Sequence, residues 1–192
     1  MTNQINKSIS EVLPDFFSKN QLEEFITLYQ SSLTDNQKSE SLKGNKQLEY
    51  KIQDGLNYRS QVDLLITFSG NKLPKEKFLS LLLYISQASI TNGEFLAAID
   101  INQKIIALTV NDKNMTDLNA NAHLLVGEIY SRQANWQDSF DFTNKALNIF
   151  SSVNDVKGIA KCENLLGTIH GDLGDVKKAI ESFEAALEKS DQ

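Results

Sequence analysis

Cysteine is nearly missing from this chain of 192 residues. Its one thiol, Cys162, excludes an intramolecular disulfide, and no CxxC spacing or His/Cys cluster is there to hold structural zinc. That usage fits a reducing compartment, so the expected location is cytoplasmic. Histidine is scarce as well: His123 and His170 are the only two, and neither has a ligand-type residue four positions on. No run of 18 apolar residues occurs, and Met1 to Pro14 lack the apolar core of a secretion signal, so neither a membrane span nor export is expected. Positive charge is in short supply, with 19 Lys and Arg against 25 Asp and Glu and a net charge of −6. A chain of that balance has no field with which to neutralise a phosphate backbone, and nucleic acid is not an expected partner. Only two prolines interrupt the chain, Pro14 and Pro74.

What the chain does have is helical periodicity. Apolar residues return at offsets of three, four and seven rather than two, which predicts an all-α protein. An internal repeat then organises the C-terminal half. Leu166-Gly167-Thr168-Ile169-His170 aligns with Val126-Gly127-Glu128-Ile129-Tyr130 at an offset of 40, and the match continues through Gly174-Asp175-Val176 under Ala134-Asn135-Trp136 and Ala186-Leu187 under Ala146-Leu147. A fainter copy lies upstream, where Gly93-Glu94-Phe95 and Ala98 take the places of Ala134-Asn135-Trp136 and Ser139. The triplets Val110-Asn111-Asp112 and Val153-Asn154-Asp155 sit 43 apart, so the joins between repeats must differ in length.

Each copy reads as two helices around a tight turn. In the last, Ile159, Cys162, Leu165, Leu166 and Ile169 form one apolar stripe, and Val176, Ala179, Ile180, Phe183 and Leu187 form the next. Asp175 and Asn135 are placed to cap the second helices, with Asp138 in the first turn. A glycine inside a helix costs about 1 kcal/mol against alanine. Gly127 and Gly167 therefore imply a close helix approach, with small residues opposite at Ala98, Ser139, Ala179, Ala146 and Ala186, while Trp136, Phe140 and Phe183 fill the remaining space.

These residues resemble the tetratricopeptide repeat: an aliphatic-small pair, a large residue three on, a turn, then spaced small and aromatic positions. Val126-Gly127, Tyr130, Ala134, Trp136, Ser139 and Ala146-Leu147 fit it, as do Leu166-Gly167, His170, Gly174, Val176, Ala179, Phe183 and Ala186-Leu187. The upstream copy is degenerate, with Ser86, Ser89 and Asn102 at the small, large and aromatic places. The closing proline is absent and the period exceeds the usual 34, as in a long-helix variant of the family. The resemblance implies an α-α superhelix of stacked hairpins over residues 79–192, with repeats at about 79–112, 118–152 and 156–190.

Residues 1–78 are read as N-terminal helices, whether a cap, an eroded repeat or a docking segment. Ile5, Ile9, Val12, Leu13 and Phe16 suggest a first helix ending near Pro14, and an Asn20/Glu23 capping box starts a second over 21–33. A polar loop follows near 34–46. Leu48, Ile52, Leu56, Val62, Leu65, Ile66 and Phe68 suggest one longer helix closed by Gly70-Asn71.

No catalytic constellation, metal site or cofactor loop emerges. Cys162 and Trp136 stand on apolar stripes, His170 occupies a packing position, and His123 is expected to face the next hairpin. What remains is a surface. In the family the first helix of each repeat lines a concave groove, which here implies a protein or peptide partner held by Gln87, Asn121, Glu128, Arg132, Lys161, Asn164 and Thr168. Asn and Gln can satisfy an extended backbone, while Arg132 and Lys161 can engage a carboxylate. Lys161 matches one place of the family's chaperone-tail clamp, but Leu165, Leu83 and Gln87 do not match the others, so that ligand is not expected. The expected function is a non-enzymatic protein-interaction module. The alternatives are the sensing part of a larger signalling protein with a kinase or DNA-binding output, and a scaffold that forms a homodimer through its C-terminal repeat edge. A helical-repeat enzyme ranks last.

Overall fold

A computed structural model describes residues 3–32 and 58–190, and these residues are helices and short turns without a strand. The expected polar loop near 34–46 and the apolar positions Leu48, Ile52 and Leu56 lie outside the described residues. The chain divides into two compact units, Met1–Ala97 and Ala98–Gln192. The division falls inside one helix, and the first of the three expected repeats runs across it.

In the first unit, α1 (Asn3–Phe16) is followed by α2 (Lys19–Ser32), α3 (Tyr58–Lys72) and α4 (Lys75–Thr91). Pro14 is accommodated in the last turn of α1. The capping box that opens α2 is not Asn20/Glu23 but Ser18/Gln21: the Ser18 amide donates to Gln21 Oε1 at 2.9 Å and the Gln21 amide to Ser18 Oγ at 3.4 Å. The chain is already committed there, because α1 closes only at the Phe17 amide, bonded to the Leu13 carbonyl, and leaves Ser18 alone to serve as the cap. Helix α3 likewise runs through Gly70-Asn71 to Lys72, and the break comes at Leu73, before Pro74. The core of this unit gathers Leu13, Phe17, Leu22, Phe25, Val62, Leu65 and Phe68. The Phe68 ring lies 5.5 Å from that of Phe17 and 5.2 Å from that of Phe25.

Helix α4 is joined by a three-residue turn to α5 (Phe95–Thr109), most of which belongs to the second unit. A short 3-10 turn, Lys113–Met115, leads into α6 (Thr116–Arg132), α7 (Trp136–Ser152), α8 (Val156–Asp172) and α9 (Val176–Ser190). That 3-10 turn accounts for the uneven offset: three residues are inserted after Val110-Asn111-Asp112 and none after Val153-Asn154-Asp155.

The turns are one structure used four times. At Gly93, Ala134, Asn154 and Gly174 the backbone enters the left-handed region, with φ of 78°, 56°, 55° and 80°. The amide of each bonds to the carbonyl three residues back, and the next amide to the carbonyl five back, as in Asn135 to Tyr130 at 2.9 Å and Asp175 to His170 at 2.9 Å. This is the Schellman termination, which satisfies the orphan carbonyls of the first helix and reverses the chain within three residues. Glycine fits it without strain and asparagine tolerates it, whereas alanine at 134 does not favour it. Asp155 and Asp175 then cap α8 and α9 through the amides of Gly158 at 3.0 Å and Lys178 at 3.2 Å. Asn135 occupies the same place but caps no amide; its Nδ2 donates to Asp138 Oδ2 at 2.6 Å instead.

Helix α6 packs along α7, α7 along α8, and α8 along α9, and α6 also touches α8. The core between them is Ala120, Leu124, Ala146, Phe150 and Cys162, flanked by Leu147, Ile149, Ile159 and Leu165. Gly127 and Gly167 sit where the paired helices come closest. A Cβ on Gly127 would lie 2.6 Å from Thr143 Oγ1, and one on Gly167 would lie 2.7 Å from the Phe183 ring. The Gly127 carbonyl accepts a hydrogen bond from Ser139 Oγ across the seam at 2.8 Å. A third glycine, Gly158, shows no such signal in the repeat pattern, yet the Phe150 ring lies directly against it and leaves no room for a methyl group.

Candidate functional site

Helix α6 carries one polar stripe, with Asp117 and Arg132 exposed and Asn121 and Glu128 half-buried, while Ala120, Ala122, Leu124, Leu125, Val126 and Ile129 are buried. Helix α8 repeats the arrangement with Lys157, Lys161, Asn164, Thr168 and Asp172 exposed. The positions correspond at the offset of 40, Asn121 to Lys161 and Glu128 to Thr168, and α6 and α8 touch. Of the seven expected groove residues, Asn121, Glu128 and Arg132 lie on one line of α6, and Lys161, Asn164 and Thr168 on one line of α8. Gln87 is exposed on α4, in the first unit.

Within the stripes some polar groups are already engaged. Arg132 Nη2 lies 2.7 Å from Glu128 Oε1, an exposed pair one helical turn apart, worth a few tenths of a kcal/mol, roughly 0.3–0.5. An incoming carboxylate can therefore displace Glu128 at small cost. Asn121 Nδ2 donates to the Asp117 carbonyl at 2.8 Å and Thr168 Oγ1 to the Asn164 carbonyl at 3.0 Å, leaving the Asn121 and Thr168 oxygens as acceptors facing solvent. Lys161 and Asn164 project from α8 as an exposed cation and an exposed amide. The two stripes carry donors, acceptors and charges of both signs.

The titratable groups elsewhere are packed rather than poised. Burial, helped by the nearby Glu163 and Asp155 carboxylates, pushes the Cys162 thiol up to about 12. His123 does not face the following hairpin, as expected from sequence. Its ring lies 5.9 Å from that of Phe142 on α7, in the same repeat, and its Nδ1 donates to the Asn119 carbonyl at 2.9 Å. Burial, and to a lesser degree the Lys145 charge, hold it below the usual imidazole range. Tyr130 completes this cluster, 5.7 Å from Phe142, and Lys145 Nζ stands 4.8 Å over the Phe142 ring. Sequence reasoning missed it: His123 and Tyr130 are seven apart and share a helix face, but Phe142 belongs to no position of the repeat pattern. His170 packs on Phe140 at 5.0 Å. Among the described residues no three His, Cys, Asp or Glu side chains converge to hold a metal ion, and no helix is long and apolar enough to cross a membrane.

In the first unit, the serine that stands in for a large residue has found a substitute partner. Ser89 Oγ donates to the Ile85 carbonyl at 2.8 Å, so the Tyr58 hydroxyl from α3, 2.6 Å away, must be the donor to Ser89. Burial raises the Tyr58 hydroxyl above its ordinary value, which keeps that proton in place.

No curated protein matches the chain. The family model of the tetratricopeptide repeat matches residues 118–192, the stretch that holds α6 to α9 almost whole. Repeats of this family are non-catalytic and generally mediate protein–protein interaction. The duplicated hairpins and the glycine seam agree with that match, and residues 118–192 are identified as tetratricopeptide repeats.

Proposed function

We propose that this protein is a non-enzymatic, cytoplasmic interaction module that holds a peptide segment or helix of a partner protein against the exposed stripes of α6 and α8. Three repeats at about 79–112, 118–152 and 156–190 form the array, the first supported by its Schellman turn at Gly93, and residues 1–78 add N-terminal helices. Gln87, on α4 of the first unit, is the polar position that the first repeat offers. Asn121, Asn164 and Thr168 bind the backbone of the ligand, and Arg132 and Lys161 engage its carboxylates.

The observation that carries this reading is the duplicated polar stripe. Two helices that touch each keep one line of hydrogen-bonding side chains, half-buried at Asn121 and Glu128 on α6 and exposed on α8, with Asn121 corresponding to Lys161 and Glu128 to Thr168. A solvated helix face needs exposure alone; matched stripes on touching helices give a ligand two walls. The test replaces Glu128, Arg132, Lys161 and Asn164 together by alanine and measures capture of partners from a native lysate and of peptides from a random library. Capture falls at least tenfold with helical circular dichroism unchanged. Undiminished capture overturns the groove.

A further inference from the structure

Helix α9 carries an exposed apolar line. Val176, Ile180, Phe183 and Leu187 are 64%, 51%, 41% and 64% exposed, although their spacing of four, three and four is that of a buried seam. The sequence reads this stripe as core, but only Ala179 and Ala186 of α9 are buried. The reason lies in the repeat. Phe140 and Leu147 on α7 correspond to Ile180 and Leu187; Phe140 lies against α8, on His170 at 5.0 Å, and Leu147 packs on the cluster that α6, α7 and α8 share. Phe183 borders the α8 seam, with its ring against Gly167, while Val176, Ile180 and Leu187 stay exposed beside it, so the α9 line continues a helix-stacking surface outward.

We infer that α9 pairs with α9 of a second copy of this chain, antiparallel and about a two-fold axis. The repeat itself sets the direction, because the helix that stacks on α7 is α8, which follows it through a tight turn and runs back antiparallel. A two-fold axis near residues 181 and 182 places Val176 against Leu187 of the second copy and Ile180 against Phe183, so the four apolar side chains meet in both directions.

The flanking charges select this arrangement. In that register Lys177 of one copy faces Glu184 of the other, and the symmetry makes the pair twice. A parallel pairing would instead set Glu184 across from Ala179 of the other copy and form no such ion pair. Lys177 is 88% exposed and reaches its own Glu181 only at 3.8 Å, so little holds it back. The exposed apolar line amounts to on the order of 400 Å² per copy; with the flanking polar groups a pair buries about 1,200 Å², the lower edge of specific interfaces. That area suits a dimer with a dissociation constant in the micromolar range, roughly 1–100 µM.

The experiment is sedimentation equilibrium of the full chain from about 1 to about 500 µM. The mass rises from 21.5 kDa to twice that value over this range. A chain that stays at 21.5 kDa throughout overturns the inference. Ile180→Glu removes association while circular dichroism and melting temperature stay within error of the parent; association that survives it places the contact elsewhere and overturns the inference. Lys177→Glu or Glu184→Lys alone weakens the dimer about tenfold, and both together in one chain restore it to within about twofold. Single reversals without effect, or a double reversal without recovery, overturn the antiparallel register. The inference does not rest on the groove: the four-residue groove variant leaves self-association intact, and dimerisation abolished by that variant but not by Ile180→Glu contradicts the α9 pairing.

Discussion

Gly127 and Gly167 hold equivalent positions 40 residues apart, yet the structure assigns them different costs on substitution by alanine. At Gly127 the new methyl group meets Thr143 Oγ1 at 2.6 Å and, behind it, the Thr143 amide nitrogen at 3.2 Å and the Ser139 carbonyl at 3.3 Å. Thr143 is fully buried, with its hydroxyl bonded to Ser139, and two of the three neighbours are backbone, so α7 itself must move away. Such overpacking costs roughly 1–3 kcal/mol, against about 1 kcal/mol regained from the helix preference of alanine. Gly127→Ala therefore destabilises by up to about 2 kcal/mol, a loss of up to roughly 8 °C in melting temperature for a chain of this size. At Gly167 the methyl group meets only the Phe183 ring, between 2.7 and 3.0 Å, and that ring is 41% exposed and free to swing toward solvent. Cost and gain nearly cancel, and Gly167→Ala stays within about 0.5 kcal/mol of the parent. Thermal and urea unfolding followed by circular dichroism measure both variants, and Thr143→Ala combined with Gly127→Ala recovers part of the loss. A Gly167→Ala variant as damaged as Gly127→Ala, or a Gly127→Ala variant more stable than the parent, refutes this account of the seam.

Other predictions follow from single residues. Ala134 occupies the left-handed turn position that glycine fills at 93 and 174, so Ala134→Gly stabilises by about 0.5–1 kcal/mol and Gly174→Ala destabilises by about 1 kcal/mol in the same unfolding assay. Cys162, raised to about 12, reacts with a thiol reagent at pH 8 roughly a thousandfold more slowly than a free cysteine until the chain is unfolded in denaturant. His123 is held below the ordinary imidazole value of 6.5, so the unfolded chain binds the proton more readily than the folded one. Its contribution to stability is present above that value and is lost as pH falls below it; the melting temperature drops between about pH 7.5 and 5, and His123→Phe flattens that part of the profile.

Where the repeat is exact, the chain declares its own architecture. The register of 126–130 on 166–170 specifies both hairpins of the second unit, and the 43-residue spacing of the Val-Asn-Asp triplets implies joins of unequal length, which the 3-10 turn at Lys113–Met115 supplies. What stays hidden depends on contacts between residues remote in sequence. Gly158 looks like an ordinary helix-opening residue until Phe150 is seen against it. The partnership of Tyr58 with Ser89 spans 31 positions and has no periodic signal. Ser18/Gln21 and Asn20/Glu23 are both plausible caps, and the choice between them turns on where α1 ends. The stripe on α9 shows the limit of periodicity in another way, because a hydrophobic line at helical spacing states that a surface is built to be covered, not what covers it. At the candidate site the spacing of Asn121, Glu128 and Arg132, and of Lys161, Asn164 and Thr168, places each set on one helix face. The ion pair of Arg132 with Glu128 becomes visible only once the side chains are placed.

Hydrogen exchange on the chain saturated with a library-selected peptide tests the groove most directly. Protection should concentrate in α6 and α8, with the amides beside Arg132 and Lys161 slowed, while α3 and the exposed side of α9 exchange as in the unliganded chain. Protection confined to α9 or to residues 58–72, with α6 and α8 unaltered, would contradict the assignment.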